Sequence, residues 1–78
     1  MEVVYRRSAT KAMERMPAND RDALKAKLKR YAASGEGDVI KLSARNEWRL
    51  RHGDWRAIFV IENQLLVVRV AHRRDIYK

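Results

Sequence analysis

The chain has 78 residues, 18 of them lysine or arginine against 10 acidic, for a formal charge of +8. That length leaves room for one domain, expected over residues 1–78, and the charge excess on so small a body makes a polyanion, nucleic acid first, the natural partner. The lack of cysteine removes disulfides and thiolate zinc sites, the basic residues after a short apolar start reverse the order of a signal peptide, and no apolar run approaches the roughly 20 residues of a membrane helix, so a cytoplasmic setting without a membrane partner is expected.

Val3-Val4-Tyr5 predicts a short first strand. Ser8 can cap a helix running to about Met16, which must stop before Pro17. Asn19 can cap a second helix to about Ala33, where Leu24, Leu28 and Tyr31 recur at i, i+4, i+7 and make one apolar stripe, while Lys25, Lys29 and Arg30 fall largely off it. Ser34-Gly35 supplies the stop signal, so the two helices form a hairpin. A loop is expected from about Gly37 to Arg45. Beyond it the period changes to two: Trp48, Leu50 and His52 alternate with Glu47, Arg49 and Arg51. Gly53-Asp54 turns the chain into the β-rich run 55–61, and Glu62-Asn63-Gln64 turns it again into 65–71. The expected fold is α+β, a helical hairpin packed on a small antiparallel sheet in the order β-α-α-β-β-β. In a body short of core volume, Trp48, Trp55 and Phe59 are read as packing residues rather than base-stacking ones.

Basic residues exceed acidic ones by three in residues 1–39 and by five in 40–78, and seven of the nine bases in the second half are arginine. Arginine presents a planar fork that fits phosphate bidentately, whereas lysine offers a mobile point charge. Singly, Arg49, Arg51, Arg56 and Arg69 read as the solvated face of a sheet. They gain a second reading from the tail His72-Arg73-Arg74-Asp75-Ile76-Tyr77-Lys78, which packs proton-transferring and phosphate-binding groups into one short segment. The sequence has no Gly-rich phosphate loop, metal-ligand spacing or nucleophile elbow, so no metal and no cofactor is expected.

Together, the tail and Trp48-Arg49-Leu50-Arg51-His52-Gly53-Asp54-Trp55-Arg56 resemble the RelE/ParE superfamily of bacterial toxins. The shared pattern is a basic-apolar-basic strand, a Gly-containing hairpin leading into an arginine, an apolar strand pair and a closing His-Arg-x-x-x-Tyr. The resemblance spans the chain and implies a toxin held by a cognate antitoxin protein. In the RelE branch it implies a metal-independent endoribonuclease acting on mRNA at the ribosome, in which the ribose 2′-hydroxyl attacks the neighbouring phosphate. Arg56 then matches the phosphate-stabilising arginine, Arg73 the second arginine and Tyr77 the terminal tyrosine. Arg49 stands where the archetype has a lysine and suits an electrostatic clamp better than a general base. Glu47 replaces a second lysine, leaving the proton acceptor open among Glu47, Tyr77 and His72. Lys41, Arg45, Arg51 and Arg74 are expected to touch RNA backbone or, for Arg74, the antitoxin. Two alternatives stand: a ParE-like poison of DNA gyrase, and a weakened toxin that acts through its antitoxin, with which alone it would reach operator DNA.

Overall fold

The computed structural model describes residues 1–43 and 46–76. The stripe expected on the longer helix turns inward: Leu24 and Leu28 are fully buried and Tyr31 packs against the core beside them. In chain order the elements are β1 (Val3–Tyr5), α1 (Arg7–Glu14), α2 (Ala18–Ser34), β2 (Val39–Leu42), β3 (Glu47–His52), β4 (Trp55–Ile61) and β5 (Leu65–His72). The fold is α+β, with a helical hairpin over one five-stranded sheet of order β1-β5-β4-β3-β2.

The helix ends refine the expected boundaries. Helix α1 begins at Arg7, so Ser8 lies inside its first turn, and the Ser8 hydroxyl donates to the Val68 carbonyl at 3.4 Å, tying α1 to β5. Helix α2 begins at Ala18, directly after Pro17 in extended backbone, so Asn19 is a first-turn residue rather than the cap. Its far end is as expected: Gly35 adopts φ 76, and its N–H donates to the Tyr31 carbonyl at 2.8 Å.

The segment expected as a loop between Gly37 and Arg45 contains strand β2, paired antiparallel with β3 through Val39↔Leu50 and Leu42↔Glu47. Four residues are too few to display a period, and their stability as a strand comes from the neighbour they pair with. The sheet also departs from a purely antiparallel one, because β1 runs parallel to β5. Strands β3, β4 and β5 form the expected meander, with Gly53 at φ 53 opening the two-residue turn after His52.

Ala9 and Met13 of α1, Leu24, Leu28 and Ala32 of α2, and Leu50, Ala57, Phe59, Leu65, Val67 and Val70 of the sheet make the core, with Met16 closing it. Trp48 and Trp55 are partly buried against it, so all three large strand aromatics serve packing as expected. At one end of the sheet His52 clasps the helical layer: Lys27 Nζ lies 2.8 Å from Nδ1, and Nε2 lies 3.1 Å from Asp20 Oδ1. The opposite face of the sheet carries neither helix. No helix among the described residues is long and apolar enough to cross a membrane.

Candidate nucleic-acid interface

Strand alternation decides which side chains reach the helix-free face. Leu50 on β3, Ala57 and Phe59 on β4, and Val70 on β5 are buried against the helices, so Arg49 and Arg51, Arg56 and Ile58, and Arg69 and Ala71 project the other way. Register then aligns them across the sheet. Arg51 stands opposite Arg56 and Arg56 opposite Ala71, while Arg49 and Arg69 flank Ile58. Like charges in directly opposed positions are destabilising, so this face carries an electrostatic load that the core does not require.

Arg56 sits at its centre. Its Nη1 donates to the carbonyls of Gly53 at 2.7 Å and Trp55 at 3.0 Å, which folds the guanidinium back over the β3–β4 turn. Desolvation, followed by the charges of Arg49, Arg51 and Arg73, pulls its pKa below the usual arginine range, and Asp54 opposes them. Burial alone would give that direction, and three further guanidinium groups, two from β3 and one from beyond β5, add to it by repulsion. It remains a cation at neutral pH.

The neighbours are anchored separately. Arg51 Nε pairs with Asp38 Oδ2 at 2.7 Å. The Arg73 backbone N–H donates to the Asp54 carbonyl at 2.7 Å, and its Nε lies 3.5 Å from Asp54 Oδ1. Arg69 Nη2 donates to the Asp75 carbonyl at 2.7 Å, tying the carboxyl-terminal turn to β5.

Of the residues singled out in the sequence, Arg49, Arg51, Arg56 and Arg73 are therefore brought together. Glu47 shares the outer face of β3 but lies four residues from Arg51, roughly 13 Å along the strand, away from the Arg56 end. Lys41 lies across from Trp48 and holds its Nζ 5.5 Å from the centre of that ring, which puts it on the helix side. His72 also turns to the helix side, its ring edge-on to Trp55 at 5.5 Å. Its Nδ1 accepts from the Arg74 N–H at 3.3 Å, which leaves the proton on Nε2, 3.9 Å from Asp54 Oδ2. Arg74 is exposed in the terminal turn. Arg45 and Tyr77 lie outside the described residues.

Sequence reasoning missed Asp54 and Asp38. The Gly-Asp pair was sufficiently explained as turn chemistry, and the contact between Asp38 and Arg51 depends on β2, which the sequence did not reveal. Among the described residues, no group of three or more histidine or acidic side chains could hold a metal ion.

A family model described as the ParE toxin of type II toxin–antitoxin systems, parDE, matches residues 3–77. Comparison with curated protein sequences finds no match. Among solved structures, the fold is similar to a chain of the RelB–RelE antitoxin–toxin complex from Methanococcus jannaschii, at 21% identity and TM-score 0.80 over 95% of this chain and 94% of that one. It is similar also to a chain of the archaeal RelE–RelB complex from Pyrococcus horikoshii OT3, at 21% identity and TM-score 0.73 over 95% and 96%. A chain of the toxin–antitoxin complex RelBE2 from Mycobacterium tuberculosis matches at 19% identity and TM-score 0.70 over 92% and 96%.

Proposed function

The chain belongs to the ParE toxin family of type II toxin–antitoxin systems, and from that premise we propose that it is a metal-independent endoribonuclease that cleaves mRNA in the cytoplasm, at the ribosome, and is restrained by a cognate antitoxin. The observation that carries this reading is the convergence of charge from Arg49, Arg51 and Arg73 on Arg56 at one end of the sheet.

In the reaction proposed, the ribose 2′-oxygen bonds to the adjacent phosphorus and the bond from phosphorus to the 5′-oxygen breaks, leaving a 2′,3′-cyclic phosphate and a free 5′-hydroxyl. The phosphorane between them carries more negative charge than the starting diester. Guanidinium groups held in advance by the protein stabilise that charge without having to reorganise. Arg56, fixed by two turn carbonyls, is suited to the non-bridging oxygens, and Arg73 and Arg49 to the flanking charge. One proton must leave the 2′-hydroxyl and one must reach the 5′-oxygen. Tyr77 is the assigned carrier, and His72, whose ring turns to the helix side beside Trp55, could serve only around the end of the sheet. Glu47 is the poorer choice on distance along its strand. Lys41, Arg45, Arg51 and Arg74 remain assigned to RNA backbone or, for Arg74, the antitoxin, with Lys41 reaching it only from the other side of the sheet.

The test is cleavage of a defined message by the purified toxin with and without ribosomes, with the new ends mapped by primer extension. Arg56→Ala and Arg56→Lys should lower the rate by about 10²- to 10³-fold, as loss of one oxyanion donor does. Undiminished cleavage by both variants would reject the site.

A second reading, poisoning of DNA gyrase, is favoured by the parDE description of the matching family model. Under it the wild-type toxin leaves messages intact, inhibits supercoiling in vitro and induces a DNA-damage response in cells, whereas the ribonuclease arrests translation.

A further inference from the structure

We propose that Asp54 is a positioning residue of the arginine site, its carboxylate coupling Arg73 and His72 to the β3–β4 turn that also holds Arg56. The inference rests on the ribonuclease reading, and it deepens that reading by naming a residue that does not touch the RNA phosphate.

The turn acts as a hub. Arg56 donates to the carbonyls on either side of Asp54, those of Gly53 and Trp55. The Asp54 carbonyl itself accepts the Arg73 N–H at 2.7 Å. Its carboxylate then divides, with Oδ1 3.5 Å from Arg73 Nε and Oδ2 3.9 Å from His72 Nε2. His72 and Arg73, 18 and 19 positions beyond Asp54, thus converge with Arg56 on Gly53, Asp54 and Trp55. His72 and Arg56 leave the sheet on opposite faces, and Asp54 stands at the sheet end where a side chain can address both. The Arg74 N–H on His72 Nδ1 holds the ring in the tautomer that presents Nε2–H to this carboxylate.

The two carboxylate contacts are long for hydrogen bonds. Turn chemistry accounts for an aspartate after Gly53, but an exposed ion pair of this kind contributes little to stability, so stability does not account for the contacts of its carboxylate with Arg73 and His72. A negative charge here also works against binding a polyanion. Orientation of Arg73 and His72 is the benefit that offsets it, because a misplaced catalytic group costs rate even when the fold is intact.

The two effects have opposite signs in a kinetic experiment. Asp54→Asn keeps the backbone carbonyl and the size of the side chain but removes its charge. With the purified toxin, a defined message and ribosomes, kcat should fall about tenfold while KM falls or stays level, because the site becomes more positive. Asp54→Glu should restore part of kcat, and Glu62→Gln in the opposite turn should leave both constants unchanged. In the free protein, nitrogen NMR of Asp54→Asn should show displaced Arg73 Nε–Hε and His72 Nε2 signals at an unchanged melting temperature. An active wild type with Asp54→Asn equal to it in kcat overturns the proposal and leaves the ribonuclease reading standing. Unmoved Arg73 and His72 signals overturn it too. A wild type that cuts no message rejects the ribonuclease reading itself, and this inference with it.

Discussion

Burial acts on Tyr5 and Arg56 with opposite results, because in each case it disfavours the charged form. Arg56 is drawn below the ordinary arginine range and Tyr5 is raised above the ordinary 10.0. The Tyr5 ring, with Lys25 Nζ 5.8 Å from its centre, lies beside the helical hairpin on a strand packed against the core. Its folded pKa is the higher one, so below pH 10.0 both states hold the phenol proton and stability is complete, and above that the unfolded chain ionises first and stability falls. Tyr5→Phe removes this loss while keeping the ring face offered to Lys25. Melting curves of the two proteins should coincide near neutrality and separate above pH 10.0, with the Phe variant the more stable. Coincident curves through the alkaline range would show that Tyr5 ionises freely in the folded state. At this scale the sequence was a good guide where alternation held. Arg49, Arg51 and Arg56 face outward because every second residue of β3 and β4 is needed by the core. His72 keeps the helix-side face of Val70, two residues before it, and only Val68 breaks the alternation. The pairs Ile58↔Arg69 and Phe59↔Val67 leave Val68 as an extra residue, and this bulge shifts the parity of the strand after it.

Elements were legible in proportion to their length and punctuation. Helix α2 was marked by an apolar stripe and by Ser34-Gly35, and it ends where that signal stands. Strand β2 had neither and emerged only through pairing with β3. That difference makes Gly35 a useful probe. A Cβ at Gly35 would meet nothing within 4 Å, so its φ of +76 is the whole obstacle to a side chain there. Gly35→Ala should therefore destabilise the protein by about 1 kcal/mol through backbone strain alone. Gly35→Asn should cost less, since asparagine tolerates the left-handed region. Urea unfolding of the three proteins measures this directly. An alanine variant as stable as the parent would mean that the helix end rearranges without cost.

For the whole molecule, the outer face is built against its own electrostatics. The chain carries +8, and Arg49, Arg51 and Arg73 all bear on Arg56, which projects from the side of the sheet that no helix covers. A body of 78 residues buries only a modest core, so repulsion on that face takes a noticeable share of a small net stability. An anion seated among the guanidiniums should return it. For a ligand that binds only the folded state, stabilisation is RT ln(1 + [L]/Kd), or about 2.7 kcal/mol at a hundredfold excess over Kd. At roughly 4 to 8 °C per kcal/mol for a domain of this size, a short RNA with a 2′-O-methyl group at each nucleotide, which cannot be cleaved, should raise Tm by on the order of 10 °C. Sodium chloride at matched ionic strength should raise it less, because screening relieves repulsion without filling the site. The binding constant should fall with salt, by a logarithmic slope of about 0.7 for each phosphate contacted on a single strand. Arg56→Ala should lose most of the oligonucleotide-specific increment while keeping the response to chloride. If the oligonucleotide and chloride stabilise the protein equally, or if Arg56→Ala responds to both like the parent, the arginines of this face are a solvated surface and not a phosphate site.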